Sequence, residues 1–142
     1  MRKRLLLLVL LLVLLFPTSA HAATWKRARL RSEVAQACRF YHLSKSETRY
    51  LKRAAVDIVF DGAHESGGST GARNGSCVGL FQFNSGWHST RAIKRRAKRE
   101  HHHHGSGGWR SCGQCATWRF VKVYKDGGKS AIRRHWAATL GR

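Results

Sequence analysis

The sequence predicts an α+β domain, mostly α, with four to six helices and one small β hairpin beside a cleft. Two observations carry the helices: apolar residues recur at helical spacing in several separate segments, and one of them opens on Ser44-Lys45-Ser46-Glu47, an S-x-x-E start signal. A third carries the hairpin. Residues 67–79 are rich in Gly, Ser, Thr and Asn and contain the turn dipeptide Asn74-Gly75.

The first element is a leader. Arg2, Lys3 and Arg4 precede an apolar run of 12 residues, Leu5 to Phe16, and then Pro17 and the small-residue stretch ending Ala20-His21-Ala22. This is the layout of a secretory signal peptide. At about 1.5 Å per helical residue the run is too short to span a hydrocarbon core of about 30 Å. Residues 1–22 are therefore predicted to be removed, leaving residues 23–142 as one domain of 120 residues in an exported, extracellular, wall-associated monomer.

The mature elements follow in order. Leu30, Val34, Ala37, Cys38 and Tyr41 form the inward stripe of a helix from Ala28 to Tyr41. A second helix starts at the Ser44 capping box, buries Leu51, Ala54, Ala55, Ile58 and Val59, and lasts until Gly62. The hairpin or meander follows, and Val78 to Phe83 reads as either a strand or a loop. Thr90 to Glu100 reads as a basic helix carrying Arg91, Lys94, Arg95, Arg96, Lys98 and Arg99. His101 to His104 and the glycines after them read as an exposed loop, since adjacent imidazoles cannot all converge on one ion. Cys115 to Tyr124 forms a helix stopped by Asp126-Gly127-Gly128, and Lys129 to Leu140 a last short one carrying Ile132 and Trp136.

Charge narrows the partners. Of 27 Lys and Arg, the leader holds three; the remaining 24 stand against 7 Asp and Glu, giving the mature domain +17. Anionic cell-wall polymers suit such a surface in an exported protein. Specific nucleic-acid recognition is set aside, because no reading module is recognisable. Cys38, Cys77, Cys112 and Cys115 make an even count, which in an oxidising compartment reads as two disulfides with three possible pairings. Cys112-Gly113-Gln114-Cys115 has the spacing of a redox pair, but no βαβ pattern surrounds it, and one close pair is too few for a four-cysteine zinc site. No metal or cofactor is expected.

The chemistry gathers on His64-Glu65-Ser66-Gly67-Gly68 and Gly79-Leu80-Phe81-Gln82-Phe83, with Trp87 shortly after. Together these motifs resemble those of the lysozyme-like lytic transglycosylases, SLT-type domains related to goose-type lysozymes and resuscitation-promoting factors. Val123-Tyr124-Lys125-Asp126-Gly127 is similar to a third family segment, with Lys125 where an Asn is usual. The resemblance runs from about Leu30 to Leu140. It implies a lysozyme-like fold and cleavage of peptidoglycan glycan strands between MurNAc and GlcNAc.

Glu65 is the catalytic candidate. Breaking a glycosidic bond requires an acid that stays protonated near neutral pH, and the end of a helix bordering a cleft can desolvate one. Gln82, which both donates and accepts hydrogen bonds, suits sugar hydroxyls and N-acetyl groups. Phe83 and Trp87 are expected to offer flat faces to sugar rings, Ser66 to support the helix end, and Tyr124, as the resemblance implies, to orient Glu65. No second carboxylate is well placed among Glu33, Glu47, Asp57, Asp61, Glu100 and Asp126, whereas both ordinary hydrolytic routes need one. A one-carboxylate mechanism that closes a 1,6-anhydro ring is therefore expected. The alternatives are a muramidase assisted by Asp61 or Asp126, or a cationic wall-binding protein without activity.

Overall fold

A computed structural model of the chain describes residues 24–62, 66–75, 77–84 and 112–140. The leader, Glu65, Trp87, the basic segment 90–100 and His101 to His104 lie outside the described residues. Helices dominate, and the small antiparallel sheet is present. The helix count differs from expectation. Among the described residues three helices are longer than a single turn, not four to six.

Helix α1 (Arg27–Phe40) buries Leu30, Val34, Ala37 and Cys38, the stripe its spacing predicts. Helix α2 (Lys45–Val56) begins in a complete capping box: Ser44 Oγ accepts from the Glu47 N–H at 3.3 Å, while Glu47 Oε2 accepts from the Ser44 N–H at 2.7 Å. The helix then widens into a π turn, Asp57–Asp61, that buries Ile58 and Val59 and ends at Gly62. Such turns interrupt the regular ladder and recur at functional sites. Arg27 of α1 clamps this turn, pairing with Asp61 at 2.5 Å and lying 4.7 Å from the Phe60 ring centre.

The sheet is a three-stranded meander of minimal strands, β1 (Arg73–Asn74), β2 (Cys77–Val78) and β3 (Phe83–Asn84). Arg73 pairs with Val78, and Val78 with Phe83. Gly75, at φ 56°, supplies the left-handed residue that the Asn74-Gly75 signal anticipates. Residues 79–82 form the tight connection between β2 and β3 rather than a strand.

Helix α3 (Gly113–His135) is broken into two arms at the predicted stop. Gly128, at φ 63° and ψ −160°, is not helical and turns the chain there, as Asp126-Gly127-Gly128 leads one to expect, and the second arm returns Ala131 and Ile132 to the same core. Helix α4 (Ala137–Leu140) adds one turn. The core joins α1, α2 and α3 to the meander through an aromatic cluster. Phe81 stacks on Phe120 with ring centres 4.5 Å apart, and the Trp136 indole N–H donates to the Phe81 carbonyl at 2.8 Å. All four cysteines are thiols, so the expected disulfides are not formed. Cys38 is sealed between α1 and α2 near Thr48, while Cys77 lies on β2 and is half-buried.

Candidate functional site

The chain on either side of Glu65 is fixed by the core. Before it, Gly62 is buried against Thr139, so closely that any added Cβ would collide with that side chain. After it, the Ser66 hydroxyl donates to the Leu80 carbonyl at 2.8 Å and accepts from the Gly68 N–H at 3.2 Å. The Gly67 N–H reaches back to the Val59 carbonyl at 3.1 Å, and the Trp25 N–H donates to the Gly68 carbonyl at 2.7 Å. Gly68 is needed there: at φ 86°, it lies against the Trp25 carbonyl and the Phe60 ring. The Glu-Ser motif and the Gly79–Gln82 motif, distant in sequence, are thus hydrogen-bonded to each other through Ser66.

Gln82 is the most constrained polar residue of this region. Its φ of 49° is unusual for a residue with a Cβ. It is 9% exposed. Its side-chain nitrogen donates to the Gly79 carbonyl at 2.8 Å and the Ala72 carbonyl at 3.2 Å, which fixes the amide orientation. Its oxygen is buried and accepts nothing. Such an atom costs about 1–3 kcal/mol unless something donates to it. The residue borders a cleft of about 180 Å³ whose walls include Ile58, Cys77, His135, Trp136 and Thr139. Through Thr139 this cleft adjoins Gly62. Partial burial, reinforced by Arg119 and Arg134, holds His135 below the usual histidine range.

The other expected site residues are placed differently. Phe83 is 2% exposed and packs on Phe81 and Trp136, so the expectation that its face meets a sugar is corrected. Its pairing opposite the buried Val78 turns both side chains inward. Tyr124 is buried and its hydroxyl donates to Glu47 Oε1 at 3.3 Å, so the glutamate it reaches is that of the α2 cap. Burial first, then Glu47, raises its pKa, while bonds from Ser44 hold the Glu47 carboxyl below the usual range. Of the other carboxylates, Asp61 is paired with Arg27 and Asp126 with Lys122. Glu33 is half-buried with one oxygen that accepts no hydrogen bond.

Sequence reasoning missed a second cavity. It measures about 420 Å³, and Arg49, Arg53 and Arg133 converge on it beside Tyr50, Ser46 and Asp57. Burial raises the pKa of Tyr50, with Arg133 opposing the shift. Arg49 and Arg53 lie four residues apart on α2, a spacing visible in the sequence, whereas Arg133 arrives from α3 beyond the kink, which no local pattern announces. Among the described residues no cluster of His, Cys, Asp or Glu could hold a metal ion. No known protein family, no curated protein and no solved structure matches the chain.

Proposed function

We propose that this chain is an exported peptidoglycan lytic transglycosylase of lysozyme-like arrangement, with Glu65 as its single acid and base. The observation that carries the reading is the Gln82 amide: its nitrogen is tied down by two backbone carbonyls and its oxygen waits, buried, for a donor beside the cleft. An N-acetyl N–H or a sugar hydroxyl is such a donor. Glu65 directly precedes Ser66 in the sequence. The hydroxyl of Ser66 is in turn anchored on Leu80, two residues from Gln82.

In this reading Glu65 protonates the glycosidic oxygen between MurNAc and GlcNAc, and the substrate's N-acetyl group assists the cationic carbon. Glu65 then takes the proton of the 6-hydroxyl as the 1,6-anhydro ring closes. The engagement of Asp61 with Arg27 and of Asp126 with Lys122 supports this over a muramidase, since neither is spare to activate water. The polymer is held through its anionic groups, and the cavity of Arg49, Arg53 and Arg133 supports that part of the reading. The same cavity favours a second reading, a cationic wall-binding protein without catalysis.

Digestion of purified peptidoglycan followed by mass spectrometry of the soluble products separates these readings. The wild type is expected to release anhydro-ended fragments, and Glu65→Gln, which can neither give nor take the proton, to lose at least about 10²- to 10⁴-fold in rate while still binding walls. Reducing-end products would indicate a hydrolase. Undiminished lysis by Glu65→Gln would remove the enzyme assignment, and no lysis by the folded wild type would leave the wall-binding reading.

A further inference from the structure

Cys112 and Cys115 take no part in the cleft reading, yet their geometry is that of a reactive pair. Cys112 is the N-cap of α3, and its sulfur accepts from the Cys115 backbone N–H at 3.3 Å. The Cys112 side chain also acts on the Cys115 thiol, so the two side chains are neighbours across the first turn of α3. Exposure divides them: Cys112 is partly accessible, whereas Cys115 is 6% exposed.

The Cys115 backbone donor and the positive end of a long helix face the Cys112 sulfur, an arrangement that favours a thiolate. The Cys115 thiol keeps its proton: the bond to Cys112, and burial after it, push its pKa upward. The scaffold beneath is tight. A Cβ on Gly113 would lie 2.5 Å from the Trp25 indole and 2.9 Å from Thr70 Cγ2, so the helix start is pressed against two buried residues and holds the pair in register.

We propose that Cys112 and Cys115 are a thiol–disulfide exchange pair that reacts with small accessible disulfides, Cys112 attacking and Cys115 resolving. The Cys112 thiolate attacks one sulfur of R–S–S–R; that bond breaks, one R–S⁻ leaves and takes a proton from solvent, and a mixed disulfide forms. Cys115 then loses its proton to solvent as its sulfur attacks Cys112 Sγ, and the second R–S⁻ departs and is protonated. The chain loses two electrons to the external disulfide, which becomes two thiols, and excess dithiol reverses the sequence. The other thiols are differently placed. Cys38 is fully enclosed, and burial raises its pKa. This inference does not depend on the glycan-cleaving reading.

The test uses the reduced, full-length chain, oxidised glutathione, alkylation of the remaining thiols and peptide mapping. The wild type is expected to lose two hydrogen atoms, with Cys112 and Cys115 bridged, and to be re-reduced by dithiothreitol without unfolding. Cys115→Ser is expected to retain glutathione on Cys112 as a stable adduct, and Cys112→Ser to gain none at Cys115. A bridge to Cys38 or Cys77, a bridge reducible only after unfolding, or an adduct at Cys115 in Cys112→Ser as rapid as that at Cys112 in Cys115→Ser would overturn the proposal. If either variant fails to fold by circular dichroism, the wild-type map decides by itself.

Discussion

Two cavities flank the same wall of this molecule, and they are built from opposite chemistry. Asp57 lines the arginine cavity while its neighbour Ile58 lines the Gln82 cleft; Leu140 and Thr139 divide in the same way. Adjacent helical residues point about 100° apart, so one helix end can serve two faces. The arginine side offers long cationic side chains on flexible stems, which attract polyanions without demanding a fixed pose. The Gln82 side offers one amide, locked by two hydrogen bonds, in a wall whose described residues include no carboxylate, lysine or arginine. Charge supplies attraction there and a buried amide supplies orientation, so removing a group from each should produce different kinds of loss.

Gln82→Met tests the orienting side and carries the larger expected effect. Methionine fills similar volume but accepts no strong hydrogen bond and releases both carbonyl contacts. If the buried oxygen receives a substrate donor, cleavage should fall by about tenfold or more, since one lost hydrogen bond of about 1.4 kcal/mol is tenfold in rate. The Ala72 and Gly79 carbonyls keep backbone donors from Gly79 and Gln82, so the fold should survive. A folded Gln82→Met protein with unaltered kcat/KM on peptidoglycan would make the amide a purely structural brace.

How far this contrast was legible in the sequence depends on the range of each contact. The α2 cap and its stripe of Leu51, Ala54, Ala55, Ile58 and Val59 were readable because they are written in consecutive turns of one segment. The Asn74-Gly75 turn was readable for the same reason. The inward direction of Phe83 was not, since it depends on its register against Val78. Nor was the Tyr124 bond to Glu47, which joins elements 77 residues apart, whereas the break of α3 at Gly128 was, because Asp126-Gly127-Gly128 is a local stop signal. The Ser66–Leu80 bond joins residues 14 apart across the meander, and no local pattern announces it.

Arg133→Ala tests the attracting side, with a smaller effect. One exposed guanidinium among three is worth about two- to fivefold in binding to an anionic polymer at low ionic strength. The loss should fade as salt rises, because charges separated by more than about 8 Å are screened at physiological ionic strength. Sedimentation of the protein with purified walls across a salt series measures it. Equal loss at low and high salt would mean that Arg133 contributes packing between α3 and α2 rather than attraction, and the two cavities would then differ less than their chemistry suggests.

The smallest effect concerns the far end of α2, which holds Arg49 and Arg53 in place. Glu47 receives the Ser44 N–H and hydroxyl, each at 2.7 Å, and the Tyr124 hydroxyl at 3.3 Å. The bonds from Ser44 are the leading cause of its lowered pKa. A carboxyl whose folded pKa is depressed stabilises the fold fully above its unfolded value, about 4.3 for glutamate, and that contribution disappears as pH falls through the lower native value. Thermal melts should therefore separate the wild type from Glu47→Ala at neutral pH, with the two curves drawing together in acid. The arginine cavity should loosen with the cap, since Ser46, Arg49 and Arg53 all lie on the helix it starts, whereas the Gln82 cleft, bordered beyond the π turn by Ile58, should not. Wall binding that weakens in acid for the wild type but is already weak and pH-independent over this range in Glu47→Ala would link the cap to the attracting face. A pH response identical in both proteins would place the titrating group elsewhere.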